Sequence, residues 1–170
     1  MTIASMQDLL QDELMGLYTT ETRALEAYPQ LIEVASSPEL KQALQQHSEQ
    51  TRGQVQRLEQ VFQMLGQPAQ GKSVQALEGL IADAQQLVQN GTPGPVLDAG
   101  LIGAAQKMEH LEIACYGNAR TFAVEIDQDE IGELLQQTLD EEIQTDRLLT
   151  QLAESRINQQ AEREPAGAAA

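Results

Sequence analysis

The sequence contains 170 residues, a length typical of one domain with a sizeable hydrophobic core. Its formal net charge of -16, from 26 acidic and 10 basic residues, disfavours nucleic-acid and anionic membrane partners and favours cations. The sequence has no run of about 18 apolar residues, so no membrane-spanning helix is predicted. The N-terminus lacks a signal-peptide pattern. Cys115 is the single cysteine, which excludes an intramolecular disulfide and favours a cytoplasmic location.

The N-terminal segment predicts one long amphipathic helix, from Ser5 or Met6 to about Ala35. Its apolar residues recur with a period near 3.6, as expected for a helix that buries one face. Glu21 lies on the same face, midway along the helix and between apolar turns. A buried carboxylate in this position needs a hydrogen-bonding partner, a proton or a cation.

The second helix is predicted to begin at the Ser-Ser-Pro-Glu segment 36–39 and to end near Leu65. In this segment a serine caps the helix, a proline occupies its first position and an acid follows. The inward face of the helix is apolar at both ends and polar in its middle. The polar residues are His47, Thr51 and Gln54. We expect them to lie at the same level of the protein as Glu21.

Residues 66–95 form a long connection, with glycine- and proline-rich turn sequences at both ends. Within it, a short amphipathic helix is predicted at about 73–89. Its single apolar face indicates a lid, or an element packed against the side of the other helices, rather than a central one. Crossovers of this length join the two halves of one known class of four-helix bundle.

The third long helix is predicted to follow Pro95 and to end near Val124. Its inward face carries Glu109, Glu112 and Tyr116, which are spaced i, i+3 and i+7 and therefore share one side of the helix. Burying two ionised carboxylates costs several kcal/mol or more unless each has a partner. This layer of the protein must therefore be hydrated, protonated or occupied by a cation.

The last long helix is predicted to follow the turn at 126–130 and to end near Ile157, where its apolar period stops. Glu142 and Asp146 lie on or beside its apolar face. They are four residues apart, a spacing that places two side chains on neighbouring turns of one side of a helix. The fourth helix is thus the third to carry carboxylates midway along its buried face.

The four long helices and the absence of strand-like alternation predict an all-α fold, a four-helix bundle at 1–157. The remaining segment, 158–170, is rich in alanine and charged residues. It is predicted to be a tail that is disordered from Glu162 onward. The crossover between the second and third long helices is expected to carry the extra short helix.

Carboxylates from separate helices at one level of a bundle favour a metal site. Pairs of iron or manganese ions are bound in this way, by inward-facing glutamates and by Glu-x-x-His pairs. About four carboxylates neutralise two divalent ions, and oxygen-rich sites suit iron(II) and manganese. The candidate metal ligands are Glu21, Glu109, Glu112, Glu142 and Asp146.

Four segments of the sequence carry a resemblance to a known family. They are Leu17-Tyr18-x-x-Glu21, His47-x-Glu49-x-Thr51-x-x-Gln54, Glu109-His110-Leu111-Glu112-Ile113-Ala114-x-Tyr116 and Leu139-x-Glu141-Glu142-x-x-x-Asp146. Together they resemble the YciE/YciF family of ferritin-like, rubrerythrin-related bacterial stress proteins, from about Met6 to Ile157. The resemblance implies a ferritin-like bundle with an extra short helix, a homodimer and a dinuclear metal site. It implies no established activity.

The resemblance also assigns roles to four acids by analogy with rubrerythrin-like sites. Glu21 corresponds to the carboxylate of the first helix, and Glu109 and Glu112 to the paired acids of the third. Glu142 corresponds to the bridging acid of the fourth helix. These four residues are the ligands that the resemblance implies for iron or manganese.

The sequence departs from the family pattern at both expected histidine ligands. The second helix has Thr51-x-x-Gln54, and the fourth has Glu142-x-x-Thr145, where rubrerythrin-like sites have Glu-x-x-His. We therefore expect a weaker, more oxygen-rich site, with one ion as an alternative to two. The residues expected to surround the ligands and hydrogen-bond to them are His47, Thr51, Gln54 and Tyr116.

The same residues also allow interpretations without a metal. These are a hydrated or ion-paired layer for Glu109 and Glu112, a pairing of Glu21 with Arg23, and a pairing of Asp146 with Arg147. Either Glu141 or Glu142 can be the acid that faces inward. His110 points about 100° away from the carboxylates, which favours a position on the flank or in a dimer contact.

The leading hypothesis is a cytoplasmic, homodimeric, ferritin-like protein that binds iron or manganese and acts in stress or metal handling. Any catalysis would be redox chemistry at the bound metal. The competing hypothesis is a non-enzymatic structural or interaction module whose metal centre has become a polar network in the core. The acidic charge disfavours a third class, nucleic-acid binders.

Overall fold

The computed structural model describes residues 2–163, and it contains helices and no strands over that range. In chain order the helices are α1 (Met6–Val34), α2 (Pro38–Met64), α3 (Gln75–Asn90), α4 (Pro95–Glu125) and α5 (Asp129–Leu152). The prediction of an all-α four-helix bundle, with a short helix in the long crossover, is therefore confirmed. None of the described helices combines the length and the apolar character needed to cross a bilayer.

Serine caps explain where the first two helices begin. The Ser5 side chain accepts a hydrogen bond from the Asp8 amide at 3.1 Å, and the Ser37 side chain accepts one from the Leu40 amide at 3.2 Å. Each bond satisfies one of the amide groups that the first turn of a helix leaves without an intrahelical acceptor. The predicted starts of both helices agree with these caps.

Two apolar clusters fill the ends of the bundle. The lower cluster consists of Leu10, Leu14, Leu17, Leu58, Val61, Phe62, Tyr116, Ala119, Ala123, Ile131 and Leu135. The upper cluster consists of Ala24, Tyr28, Ala35, Leu40, Leu44, Leu97, Leu101, Ile102, Leu149 and Ile157. On every long helix, the buried residues between these two groups are mainly polar. A polar layer therefore separates the two hydrophobic clusters at mid-height of the bundle.

The order of the clusters along each helix fixes the topology. The chain passes from the lower to the upper cluster in α1 and α5, and from the upper to the lower in α2 and α4. Helices α1 and α2 are thus antiparallel, as are α4 and α5, and each pair is joined by a short turn. Because α2 and α4 run in the same direction, the connection between them must return along the length of the bundle. Helix α3 lies in this connection and packs on α4.

Asp98 ties the two halves of the bundle together. It lies in the first turn of α4 and is buried. Its two carboxylate oxygens accept hydrogen bonds from the backbone amides of Ser36 and Ser37, both at 2.7 Å. Ionised acceptors make the stronger hydrogen bonds of proteins. One side chain of α4 thus holds the tight turn between α1 and α2.

The C-terminal helix extends further than predicted. After α5 the chain forms one π-helical segment, Ala153–Ile157, and then α6 (Asn158–Arg163). The expected end at Ile157 is therefore six residues short of the observed helical end at Arg163. Helix α6 packs against α4, but none of its residues is buried. Of the tail predicted at 158–170, the helical part is 158–163, and residues 164–170 lie outside the described residues.

Candidate metal centre

The polar layer receives at least one ionisable side chain from each long helix. These side chains are Glu21 from α1, His47 from α2, Glu109 and Glu112 from α4, and Glu142 from α5. Each residue is at most 4% exposed. The apolar clusters above and below exclude bulk water from this level. The sequence analysis placed these four acids on inward faces, and the structure brings them to one depth.

Four of these residues meet closely enough to share one cation. One ligand atom from each of His47, Glu109, Glu112 and Glu142 lies within 4.8 Å of the other three. Bonds from divalent ions to nitrogen or carboxylate oxygen are about 2.0–2.6 Å long, so two ligands of one ion can be up to about 5 Å apart. The spacing of the four atoms therefore matches the reach of a single divalent cation.

His47 lies inside this group and not beside it. Its Nε2 atom is 3.1 Å from Glu109 Oε1 and 3.5 Å from Glu142 Oε2. Its Nδ1 atom is 3.2 Å from the Thr145 hydroxyl group, which orients the ring. The sequence analysis expected His47 to be a hydrogen-bonding neighbour of the ligands. Its position on the same face as Thr51, one turn away, was the signal that the imidazole could reach the carboxylates.

Glu21 occupies the side of the layer nearest to the lower cluster. The Tyr116 hydroxyl group donates a hydrogen bond of 2.6 Å to Glu21 Oε1. Burial, followed by the charge of Glu142, raises the pKa of Glu21 to about 8, although the Tyr116 hydrogen bond acts in the opposite direction. Glu21 lies outside the group of four that converge within 4.8 Å, but its charge interacts directly with that group.

The electrostatics of the layer strongly favour protons or cations. Burial raises the pKa of Glu109 to about 7 and that of Glu142 to about 9. Burial, and then the charges of Glu21 and Glu142, raise the pKa of Glu112 well above its ordinary value. These carboxyl groups resist ionisation because water is excluded and like charges are close. A divalent cation would reverse this penalty by pairing with the ionised forms.

The structure resolves which of two adjacent acids faces inward. Glu142 is fully buried, and Glu141 lies outside it, where both of its oxygens accept hydrogen bonds from Arg57 at 3.0 and 3.1 Å. The Gln54 amide group donates to Glu142 and, at 3.1 Å, to Glu141. Arg57 also donates to the Thr138 hydroxyl group. The sequence analysis anticipated Gln54 but missed the ion pair between Arg57 and Glu141.

Thr51 supports the layer less directly. It is buried, but its hydroxyl group donates to the backbone carbonyl of His47 on its own helix, at 3.0 Å. Hydrogen bonds of this kind are common for threonine inside helices. Its expected position next to the carboxylate layer agrees with the structure. Its hydroxyl group thus has an acceptor within α2.

Asp146, unlike Glu21, is a predicted ligand that lies outside the convergent group and has its carboxylate engaged elsewhere. Its Oδ1 atom accepts a hydrogen bond from Gln106 at 3.0 Å and lies 3.5 Å from His110 Nε2. Four residues turn a helix by roughly 400°, so Asp146 lies about 40° round from Glu142. That rotation places it in the seam between α4 and α5, where the exposed His110 also lies. We therefore withdraw Asp146 from the candidate ligands.

Unpartnered oxygens provide the test of whether a cation fits. Among residues 2–163, one buried oxygen of each acid in the layer has no hydrogen-bond partner. These are the Oε2 atoms of Glu21, Glu109, Glu112 and Glu142. Buried polar atoms without a partner are rare in proteins and call for an unassigned ion, water or proton. Four such oxygens with one imidazole suit a divalent ion that accepts oxygen and nitrogen ligands.

Comparison with known proteins places this chain in a family. Residues 5–162 match the family described as a domain of unknown function, DUF892. The chain is 36% identical to protein YciF of Escherichia coli K12 over 163 residues, which is 95% of this chain and 98% of that protein.

Two solved structures support the same assignment. The crystal structure of the E. coli stress protein YciF is similar with a TM-score of 0.87 and 35% identity, covering 92% of this chain and 99% of that one. The structure of YcfI from Rhodopseudomonas palustris is similar with a TM-score of 0.85 and 38% identity, covering 87% and 94%. The resemblance drawn from four sequence segments is therefore confirmed, and the chain belongs to the YciE/YciF family, whose domain is DUF892.

Proposed function

We propose that this protein binds iron or manganese in the polar layer and acts in metal handling or redox protection. The proposed ligands are Glu21, Glu109, Glu112 and Glu142, with His47 as the nitrogen donor. The observation that carries the proposal is the unpartnered oxygen on each of the four buried carboxylates. The close approach of four ligand atoms supports it as well. Iron or manganese in this layer would supply one-electron redox chemistry.

The residues around the ligands have distinct roles in this proposal. Gln54 and Arg57 fix Glu142 and Glu141 in different orientations, so that only Glu142 faces the layer. Thr145 holds the imidazole of His47 by its Nδ1 atom, which directs Nε2 towards the carboxylates. Such outer partners set the orientation and basicity of metal ligands. Tyr116 holds Glu21 by one oxygen and leaves the other available.

The family resemblance also implies a biological setting for this chain. YciF of E. coli is described as a stress protein. We therefore propose a stress-related role, a cytoplasmic location and a homodimer for this chain. Light scattering after size exclusion tests the last of these, and a mass equal to one chain of 18.6 kDa would contradict it.

Metal analysis of matched variants tests the central proposal. The chain is purified without a metal-binding tag, loaded anaerobically with iron(II) or manganese(II), desalted and analysed for metal per chain. We expect Glu112→Gln to lose most of the bound metal because it removes one buried charged ligand. Glu125→Gln is the control, since it makes the same substitution at an exposed position of the same helix. Equal metal content in both variants, or none in the unmodified chain, would contradict the proposal.

A second candidate function is a structural or interaction module without a metal. The raised pKa values of Glu21, Glu109 and Glu142 favour it, because protons alone can neutralise much of the layer. In this case Glu112→Gln is neutral or stabilising, since a buried acid is replaced by a neutral group of the same shape. Thermal unfolding distinguishes the two candidates, because only a specific ion raises the melting temperature of the unmodified chain and fails to raise that of Glu112→Gln.

A further inference from the structure

The proposed metal ligands are closed off from solvent, so an ion must pass between two helices to reach them. Every proposed ligand is buried, and the two apolar clusters close both ends of the bundle. The bundle has four sides, formed by α1 with α2, α2 with α5, α4 with α5, and α1 with α4, where α3 packs on α4. These sides differ in polarity and charge, and the differences indicate one route.

The side between α2 and α5 is closed by a cation. The half-buried guanidinium group of Arg57 pairs with Glu141 at 3.0 Å. The Gln54 amide group donates to both Glu141 and Glu142, so it bridges this ion pair and the polar layer. An arginine is always charged, and a positive charge repels a divalent cation. Entry on this side is therefore disfavoured.

The two sides that include α1 are lined mainly by apolar and aromatic groups. Between α1 and α2, the ring of Tyr28 packs edge-on against His47, with 5.5 Å between the ring centroids. Between α1, α3 and α4 lies a pocket of about 260 Å³ with Leu80 and Ile81 in its walls. Glu109 also lines this pocket, but its unpartnered oxygen is buried. Moving an ion along apolar walls is costly, because no ligand there replaces its hydration shell.

The fourth side, between α4 and α5, carries an accessible acid beside an accessible imidazole. The side chains of Asp146 and His110 are 21% and 69% exposed. Oδ1 of Asp146 lies 3.5 Å from Nε2 of His110 and accepts a hydrogen bond from Gln106 at 3.0 Å. Both contacts involve Oδ1, and neither involves Oδ2. Among residues 2–163, Asp146 forms no ion pair with a lysine or an arginine.

Asp146 and His110 directly adjoin the polar layer. Asp146 follows Glu142 by one helical turn, about 6 Å along the axis of α5. His110 follows Glu109 directly in α4. The charge of Asp146 acts on the layer, since burial, and then the charges of Glu21 and Asp146, raise the pKa of Glu109 to about 7. A cation at Asp146 would therefore be one turn away from the proposed ligands.

We propose that Asp146 and His110 form an outer site that captures divalent metal ions and passes them between α4 and α5 into the polar layer. This inference rests on the proposed metal-binding function. Carboxylate and imidazole groups are ligand types that iron(II) and manganese(II) accept. The net charge of -16 attracts cations to the whole surface, and Asp146 gives them a defined point of entry. Asp146 is then a residue of the route and not a ligand of the resident ion, which agrees with its position outside the convergent group.

Uptake and release rates of manganese(II) test the route. The metal-free, full-length chain is mixed with manganese(II), and freeze-quench electron paramagnetic resonance follows the free ion. Release is started with excess EDTA and followed as metal per chain. We expect Asp146→Asn to slow uptake at least tenfold and release by a similar factor, with unchanged metal content at saturation, because a residue of the route changes the barrier and not the equilibrium. Asp140→Asn is the control, since it removes the same charge at an exposed position of α5.

A second variant tests the route without changing Asp146. His110→Lys places a positive charge at the outer end of the route, and we expect it to slow uptake at least tenfold. Asn118→Lys adds the same charge at an exposed position of α4, two turns further along the helix, and is expected to leave the rate nearly unchanged. Circular dichroism verifies the fold of each variant. Equal uptake rates in these two variants would overturn the proposal.

Three further outcomes would also overturn it. One is equal uptake by Asp146→Asn and Asp140→Asn, and another is loss of metal at saturation in Asp146→Asn, which would make Asp146 a ligand of the resident ion. The third is slower uptake by Ala84→Phe, which fills the pocket beside α3 and would assign entry to that side. Failure of the proposed function is distinguishable, because the unmodified chain would then hold no manganese at saturation, and the route would be refuted with it.

Discussion

The hydrogen bond from Tyr116 to Glu21 joins α4 to α1 inside the polar layer. At 2.6 Å it is a short bond between two completely buried groups. It stabilises the ionised form of Glu21 and so lowers the pKa that burial raises. The hydroxyl group therefore makes this carboxyl group ionise more readily than burial and the charge of Glu142 alone would allow.

Tyr116→Phe is predicted to destabilise the protein by about 1–3 kcal/mol, the usual cost of a buried acceptor left without its donor. The same variant is expected to bind manganese(II) or iron(II) more weakly, because Glu21 ionises less readily. Urea unfolding and metal titration measure the two effects. Tyr18→Phe is the control, since Tyr18 donates a longer bond of 3.3 Å to Glu59 at the surface. An equal loss of stability in both variants would contradict the prediction.

Asp98 is predicted to be among the acids that matter most for stability. Its two hydrogen bonds to backbone amides are charge-assisted, and such bonds contribute about 1.5–3 kcal/mol each. In Asp98→Asn the side-chain NH₂ group faces one of the two backbone N–H donors, so one hydrogen bond is lost, and the other is no longer charge-assisted. We therefore expect the free energy of unfolding to fall by about 3 kcal/mol. Asp83→Asn, at an exposed position of α3, is expected to change it by less than about 0.5 kcal/mol.

At the scale of residues, helical spacing predicted most of the polar layer. Glu109 and Glu112 lie three residues apart on a clearly apolar stripe, so their burial followed from the sequence. Spacing could not decide how far a side chain reaches across the bundle, which is why it did not place the imidazole of His47 among the converging carboxylates. It also could not resolve a rotation of about 40° at Asp146. The hydrogen-bond partners of Asp98 could not be predicted from helical spacing, because they lie some 60 residues away in sequence.

The connection between α2 and α3 is held against α1 by a small set of contacts. The backbone amide of Lys72 donates to the Thr19 hydroxyl group at 2.9 Å, and that hydroxyl group donates to the Lys72 carbonyl at 2.8 Å. The Lys72 ammonium group forms an ion pair with Asp12. Gly71 lies directly on Thr19, where a Cβ atom would be 2.3 Å from the hydroxyl oxygen. The sequence marked Gly71 as a turn residue, but its close approach to α1 is a tertiary property.

Gly71→Ala is therefore predicted to release the connection from α1 and to cost about 1–3 kcal/mol of stability, as overpacking does. Gly79→Ala is the matched control, because a methyl group there meets no described atom within 4 Å. It lies inside α3, where alanine is favoured over glycine by about 0.5–1 kcal/mol. Denaturant unfolding should give opposite signs for the two variants. Destabilisation by both would show that the contact with Thr19 is not the cause.

At the scale of elements, the sequence located the long helices well because each has a sustained apolar period, and the first two also have a serine cap. Ser5 and the segment 36–39 are examples in which the cap and the first turn agree. The end of the last helix was harder to predict from the sequence. Helix α6 has no buried residue, so it lacks the apolar period that would have predicted it. Its helical state depends instead on the neighbouring α4 and on the continuous backbone after the π-helical segment.

Across the whole molecule, the polar layer predicts an unusual dependence of stability on pH. The folded-state pKa values of Glu21, Glu109 and Glu142 are about 8, 7 and 9, above the ordinary 4.5. An acid with a raised pKa in the folded state contributes stability that is fully present below about pH 4.5 and is lost as the pH rises through the folded pKa. The metal-free protein is therefore predicted to lose stability between about pH 5 and pH 9.

Thermal or urea unfolding of the metal-free chain across this range measures the slope, which is about 1.4 kcal/mol per pH unit for each proton that the folded state retains. Glu142→Gln should reduce the slope, whereas Glu133→Gln, exposed on the same helix, should not. Manganese(II) should counteract the loss, since metal binding requires ionised ligands and strengthens with pH. A slope that is unchanged in Glu142→Gln would contradict the assignment to this layer.

The overall topology was predictable because several features of the sequence independently indicate the same arrangement of helices. Four long periodic helices and one long connection allow few arrangements, and the order of apolar and polar segments along each helix is the same. Whether a cation, a proton or water neutralises the layer was not predictable by this route. That choice depends on oxygen positions within a few tenths of an ångström, which the helical period does not determine.

All four long helices contribute side chains to the polar layer, and this has a consequence for the synthesis of the chain on the ribosome. Glu21 is among the first residues to be synthesised, and Glu142 is among the last. A nascent chain that ends before α5 lacks one wall of the layer, so it presents an incomplete set of ligands. Under the proposed metal-binding function, the ligand set is complete only after α5 has been translated, and we expect a chain truncated before α5 to bind the ion more weakly.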